Sequence, residues 1–171
     1  MNRLMQTAPA LQRSARTILG VSILLILCLL ASVPRAAFGS ANPQIVVDPT
    51  TGLALYGYDP VAYFVDGQAN AGDEEFEKSW GGVAWRFVNI GNLKAFIDAP
   101  DVYCPRYGGY GALSVARGLT TPGKPVFFEL YGGKLYFFYS QANRHIWLDD
   151  PEAYIAQADM NWTAVKQQLV H

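Results

Sequence analysis

Two Gly-Gly pairs, each next to aromatic residues, are the feature that most restricts how this chain can fold. Gly132-Gly133 separates "PVFFELY" from "KLYFFYS", and Gly81-Gly82 separates Trp80 from the alternating stretch "VAWRF". A two-residue glycine turn between aromatic and β-branched stretches is typical of an antiparallel hairpin. The sequence therefore predicts two hairpins, and the alternation in the first predicts that one of its faces is buried.

Three segments carry helix signals. "NLKAFIDAP" places Leu93, Phe96 and Ile97 at helical spacing and stops at Pro100. "ALSVARG" predicts about two helical turns closed by Gly118. The last helix is expected to begin at Pro151 and to continue through "EAYIAQADMNWTAVKQQ".

Upstream of the first hairpin, "QIVVD" predicts a short strand. "LALYGYDPVAYFVDG" predicts extended chain broken at Asp59-Pro60, a turn-forming pair. Together with the hairpins and helices, these segments predict an α+β fold, in which a small antiparallel sheet has helices packed on one side.

The first 41 residues differ in character from the rest. Arginines precede an apolar run at residues 18–33, and small residues follow it up to Ala41. This is the pattern of a secretory signal peptide cut after Ala41, although a cut after Gly39 also fits, so residues 42–171 are expected to form a single domain. The run is also close to the length that spans a bilayer, and a retained anchor is the alternative. The expected location is periplasmic or secreted, with membrane attachment only through residues 18–33.

Loss of residues 1–41 would make the domain mildly acidic, because it lowers Lys+Arg from 13 to nine against 14 Asp+Glu. An acidic chain without a basic cluster argues against nucleic acid as a partner. It would also leave Cys104 as the one cysteine, which excludes an internal disulfide framework.

Candidate chemistry is sparse. A metal site needs three or four converging ligands, and the domain offers Cys104, His145 and the terminal His171 at no useful spacing. No complete catalytic constellation is visible either, so we expect no enzyme activity. Two alternatives stay open for Cys104: an incidental small residue, or a weak site for copper or another soft metal together with His145.

Aromatic residues around a glycine loop are the other candidate site. "YCPRYGGYGAL" holds Tyr107, Gly108, Gly109 and Tyr110. Such a segment is compatible with ordinary core packing of amphipathic rings or with a shallow aromatic surface where a small ligand stacks. The candidate surface comprises Tyr58, Asp59, Tyr63, Tyr107, Gly108, Gly109 and Tyr110.

Three segments, "GYDPVAYF", "WGGVAWRFVNIGNLKAFIDAPDVY" and "PRYGGYGALSVARG", together resemble the YHS domain-containing family in its exported bacterial branch. The resemblance implies a degenerate treble-clef-like fold. Metal-binding relatives carry cysteines where this chain has Ala62, Val88 and Asn92, and the exported branch carries one at Gly111. The resemblance therefore implies the fold without the metal ligands.

For function, the resemblance implies no established reaction. We expect an extracytoplasmic, non-catalytic YHS-like binding or accessory module without a cofactor, whose partner is an unknown small molecule or protein. The alternative is a protein that handles copper or another soft metal.

Overall fold

The structure, a computed structural model, describes residues 44–169. The predicted signal segment 1–41 and His171 lie outside the described residues. The described chain is α+β, with helices and two antiparallel sheets of two strands each. We label the elements in chain order: a 3₁₀ turn Leu55–Gly57, α1 Ala62–Val65, β1 Asp73–Trp80, β2 Val83–Phe87, α2 Ile90–Asp98, α3 Pro100–Tyr103, a second 3₁₀ turn Arg106–Gly109, α4 Ala112–Ala116, β3 Lys124–Tyr131, β4 Lys134–Phe138, α5 Gln141–Leu148 and α6 Pro151–Gln168. Among these helices, none combines the length and the apolar character needed to cross a membrane.

Both predicted hairpins are confirmed. β1 pairs with β2 and β3 pairs with β4, and the glycines of each Gly-Gly turn have positive φ. The prediction of one sheet is wrong, because the two hairpins form separate sheets. Each opening strand also contains a register shift, which interrupts regular pairing and increases the local twist.

The predicted helices are confirmed in α2, α4 and α6. Gly118 follows α4 with φ 73°, and Pro151 opens α6 at a position where its missing N–H costs nothing. Pro100 ends one helix and also opens the next, α3, for the same reason.

For three other segments, the predicted secondary structure was wrong or missing. "QIVVD" contributes one isolated bridge, Val47 with Ala54, and no strand. The stretch around Asp59-Pro60 is a 3₁₀ turn followed by α1, since the Asp59 side chain binds the first N–H groups of the helix. Helix α5 was not predicted at all, although Ser140 caps it through the N–H of Asn143 at 3.2 Å.

The fold is built from two copies of one motif. Each copy runs in the order 3₁₀ turn, short helix, hairpin and longer helix, first over residues 55–98 and then over residues 106–148. Equivalent strands begin 51 residues apart, at Asp73 and Lys124, and the closing strands end 51 residues apart, at Phe87 and Phe138. This repeat was not predicted from the sequence.

The repeat extends to irregular detail. The register shift falls between Asp73 and Glu77 in the first copy and at the equivalent place, between Lys124 and Phe128, in the second. The N–H of Gly72 donates to Gly57 O at 2.9 Å, and the N–H of Gly123 donates to Gly109 O at 3.0 Å. The copies differ by one residue in the 3₁₀ turn, "YGY" at 56–58 against "YGGY" at 107–110.

Strand β4 lies between the two hydrophobic clusters of the domain. Leu135 and Phe137 belong to the cluster of the first hairpin, and Tyr136 and Phe138 to the cluster around Trp147 and α6. Because alternate residues of a strand point to opposite faces, four consecutive aromatic and aliphatic side chains are all buried. The core therefore joins the two copies through one strand.

Candidate functional site

The turn that follows α3 forms the centre of the site. Cys104 ends α3 with extended backbone, φ −61° and ψ 133°, as expected for a residue before proline. After Pro105, the chain turns through Tyr107, Gly108 and Gly109, which all have positive φ. The turn is fixed from outside, because the N–H of Val46 donates to Gly108 O at 2.8 Å.

Gly108 is required by this close approach. A Cβ atom there would lie 1.6 Å from Gln44 O, a backbone atom that cannot move independently. The segment from Gln44 to Val46 therefore crosses directly over the turn, and it contributes Ile45 to the wall of a cavity beside it.

Two cavities open against this turn, one of about 240 Å³ and one of about 270 Å³. They share Cys104, Pro105, Gly108 and Trp162. The first, which we call the aromatic cavity, is mainly apolar and is lined by Gln44, Ile45, Trp80, Gly81, Trp85, Cys104, Pro105, Gly108 and Trp162. The second, the polar cavity, is lined by Asp101, Cys104, Pro105, Arg106, Tyr107, Gly108, Lys134 and Trp162.

Three tryptophans line the aromatic cavity, and each is held in place. The Trp85 indole N–H donates to Trp80 O at 3.0 Å. The two rings pack edge to face, with their centroids 6.0 Å apart. Trp162, on α6, packs edge to face against the Tyr107 ring, with the ring centroids 5.6 Å apart. These contacts fix the walls of the cavity before any ligand binds, which lowers the cost of binding.

The charges in the polar cavity are largely matched by partners. Arg106 forms an ion pair with Asp159 on α6, and the Lys134 ammonium donates to Asp101 O at 3.4 Å. The Arg106 Nε atom is buried and has no partner within the described chain.

Cys104 is a neutral thiol here. Burial, and secondarily the nearby Asp101 carboxylate, raise the pKa of Cys104 to about 12. A thiol is nucleophilic and a good metal ligand only as the thiolate, so at neutral pH Cys104 is poorly suited to either role. In residues 44–169, no group of three or more His, Cys, Asp or Glu residues could hold a metal ion.

His145, the other candidate metal ligand, lies on α5 and is exposed. Its Nε2 atom is 2.8 Å from the Gln141 amide nitrogen, one turn earlier on the same helix. This contact occupies the ring nitrogen within its own helix.

The Asp59 carboxylate is fully buried and joins three segments. One oxygen accepts from the N–H groups of Val61 at 2.7 Å and Ala62 at 3.3 Å. The other accepts from the N–H of Val88 at 2.8 Å and from the Asn92 side chain at 2.7 Å. Asp59 thus accepts backbone hydrogen bonds across the turn, and the four bonds use all the favourable acceptor directions of its two oxygens.

The other residues of the predicted aromatic surface do not form one surface. Tyr63 is buried and donates to Pro125 O at 3.1 Å, and Gly109 and Tyr110 are also buried. Of the predicted residues, Tyr107 and Gly108 line the polar cavity, and Gly108 also lines the aromatic cavity. Burial, with Asp159 beside the hydroxyl, raises the pKa of Tyr107, which donates to that carboxylate at 2.9 Å.

Sequence reasoning missed the tryptophans as site residues. Trp80 and Trp162 are more than 80 positions apart in the chain, and each reads locally as a core residue of its own strand or helix. Only their common position beside the turn at Cys104 makes them one wall.

Comparison of the chain with protein-family models, with curated proteins and with solved structures finds no match.

Proposed function

We propose that this domain is a non-catalytic binding module whose ligand is a small, planar, aromatic compound. The aromatic cavity carries the proposal, because three tryptophans converge there on a preformed and mainly apolar wall. Its volume of about 240 Å³ suits a single ring better than a larger molecule.

A binding role is favoured over catalysis by the state of the one reactive side chain at the cavity. Cys104 is protonated at neutral pH, since burial raises its pKa to about 12. The aromatic cavity has no His, Asp or Glu among its lining residues to remove that proton.

We also propose that the resemblance to the exported YHS-like proteins reflects a shared fold. It is supported by the positions where metal-binding relatives carry thiolates. Ala62, Val88 and Asn92 all contribute a donor to the Asp59 carboxylate. In this chain, a buried carboxylate therefore joins the segments that a metal would join. Export would follow from that resemblance and from the amino-terminal sequence, and amino-terminal sequencing near Asn42 tests it.

Calorimetric titration of the full chain with phenol tests the proposed function. We expect measurable binding, weakened about tenfold or more by Trp162→Ala because one wall of the cavity is lost. Tyr139→Ala is the matched control, since it removes a half-exposed ring that lines neither cavity.

Two results would contradict the proposal. One is an absence of binding by phenol, benzoate and benzamidine alike, which together cover neutral, anionic and cationic single rings. The other is a stoichiometric copper ion in the purified protein that is lost in Cys104→Ser, which would favour the soft-metal alternative.

A further inference from the structure

The repeat places two different residues at the same structural position. Asp59 in the first copy corresponds to Gly111 in the second, since each follows the tyrosine that ends the 3₁₀ turn. The N–H of Asp59 donates to Asn70 O at 2.9 Å, and the N–H of Gly111 donates to Thr121 O at 2.9 Å. The backbone hydrogen bonds at the two positions therefore match, whereas the side chains differ.

The partners of the Asp59 carboxylate have equivalents in the second copy. The N–H of Val88, which directly follows β2, corresponds to the N–H of Tyr139, which directly follows β4. Asn92, at the start of α2, corresponds to Asn143 at the start of α5. Both asparagines receive the same cap, as their N–H groups donate to Asn89 and Ser140.

One of these second-copy donors, the Tyr139 N–H, lies beside the position that a side chain at Gly111 would occupy, and so does the Ser114 hydroxyl. A Cβ atom at Gly111 would lie 3.5 Å from Tyr139 N and 3.4 Å from Ser114 Oγ, which is ordinary contact. Thr121 O, also 3.5 Å from that Cβ position, already accepts from the Gly111 N–H. The backbone of Gly111, with φ −60° and ψ 119°, is one that any residue adopts. The backbone at position 111 could therefore carry an aspartate side chain, as the backbone at position 59 does.

The donors around Gly111 have no acceptor among the described residues. Ser114 is 5% exposed, and its hydroxyl makes no hydrogen bond within residues 44–169. The Asn143 amide oxygen accepts from the Ser140 hydroxyl at 3.1 Å, which leaves the amide nitrogen to donate elsewhere.

We propose that the second copy binds a small free carboxylate where the first copy holds the Asp59 side chain. Acetate is the simplest such ligand, because its methyl carbon and carboxylate correspond to the Cβ and carboxylate of an aspartate side chain. Gly111 lacks these atoms. The Tyr139 N–H, the Ser114 hydroxyl and the Asn143 amide would donate to its oxygens. This site is independent of the proposed function, since Gly111, Ser114, Tyr139 and Asn143 line neither cavity.

The test is a titration of the ¹⁵N-labelled full chain with sodium acetate, followed by amide chemical shifts, against sodium chloride at equal ionic strength. We expect saturable shifts of the Tyr139 amide and the Asn143 side-chain amide. The Val88 amide and the Asn92 side chain are the internal controls, because Asp59 already occupies them. Shifts that do not saturate, or that match those in chloride, would overturn the proposal.

Two variants test the geometry further. Gly111→Asp should bring its own carboxylate to the donors, and we expect a higher melting temperature and loss of the acetate response. Asn143→Leu should also lose the acetate response, because one donor is removed, but its melting temperature should not rise. An acetate response that persists in both variants would contradict the proposed position. If Gly111→Asp does not fold, the titration of the unmodified chain and of Asn143→Leu still decides the question.

Discussion

At the scale of single residues, Asp59 shows how a buried charged side chain can hold separate segments of the chain together. Four donors surround its carboxylate and come from the start of α1, the end of β2 and the start of α2. Hydrogen bonds to a charged group are stronger than neutral ones, and the cost of leaving a buried donor without a partner is higher still. Asp59 therefore fixes the relative positions of the three segments of the first copy.

Asp59→Ala should lower the free energy of unfolding by about 3 kcal/mol, because it leaves four donors without their acceptor. Denaturant unfolding of the full chain measures this loss. Asp66→Ala is the matched control, since Asp66 is exposed and, within residues 44–169, its side chain accepts only from the Asn70 side chain, and we expect about 0.5 kcal/mol or less. Equal losses in the two variants would show that the Asp59 network contributes little.

The Cys104 thiol gives a prediction that depends on pH. Its pKa is raised to about 12 in the folded chain, above the value of about 8.5 for an unfolded cysteine. The folded state therefore holds this proton more tightly, and the stability that results is present below about pH 8.5 and is lost as the pH rises towards about 12.

Alkylation of Cys104 measures the same shift. At about pH 8, iodoacetamide should modify Cys104 much more slowly in the native protein than in denaturant, because the thiolate is scarce and the side chain is partly buried. Mass spectrometry of the peptide that contains Cys104 gives both rates. Equal rates in the folded and unfolded chain would contradict the assigned pKa.

At the scale of elements, each hairpin is positioned by a glycine directly before its first strand. A Cβ atom at Gly72 would lie 2.4 Å from the backbone carbonyl carbon of Arg86, and one at Gly123 would lie 2.5 Å from the Cβ of Phe137. Such distances are far below van der Waals contact. The two glycines therefore allow the same close approach in the two copies.

Gly72→Ala and Gly123→Ala should each lower the free energy of unfolding by about 2 kcal/mol or more, because the hairpin backbone must move to accept the methyl group. Thermal or denaturant unfolding of the two variants checks this. In Gly132→Ala, by comparison, the added methyl meets nothing within 4 Å, and only the left-handed backbone costs about 1 kcal/mol. If only one of the equivalent variants is destabilised, the repeat is not equivalent at this position.

Element prediction from the sequence succeeded where local chemistry decides the structure. The Gly-Gly turns, Pro151 and Gly118 each fix the backbone of their own neighbourhood, and the hairpins, α6 and α4 followed from them. It failed where a distant partner decides. Helix α1 depends on the Asp59 network. Helix α5 has few apolar residues, and its one fully buried side chain, Trp147, packs against β4.

At the scale of the whole molecule, the repeat is not visible in the sequence, because equivalent positions keep their structural role but carry different residue types. Trp85 corresponds to Tyr136, Phe96 to Trp147, and the cap Asn89 to Ser140. Each exchange keeps the packing or capping role and removes the sequence identity. The extra glycine of the second 3₁₀ turn is offset by one residue fewer between that turn and its hairpin, so no single residue offset aligns the whole of the two copies.

The candidate site could be predicted only in part for a related reason. The sequence pointed to the turn at Tyr107 and Gly108, since glycines and aromatic residues cluster there. It could not place Trp80 from the first hairpin and Trp162 from the last helix on the same wall, because only the packing of the whole domain brings them together. The central claim is that this wall binds an aromatic ring.

The four tryptophan indole N–H signals of the ¹⁵N-labelled chain test this claim most directly in a titration with phenol. Trp80, Trp85 and Trp162 line the aromatic cavity, whereas Trp147 is fully buried and lines neither cavity. We predict saturable shifts of the Trp80 and Trp162 signals, with a smaller shift of Trp85, whose N–H is bonded to Trp80 O, and no shift of Trp147. Unchanged Trp80 and Trp162 signals, or a shift confined to Trp147, would contradict the claim.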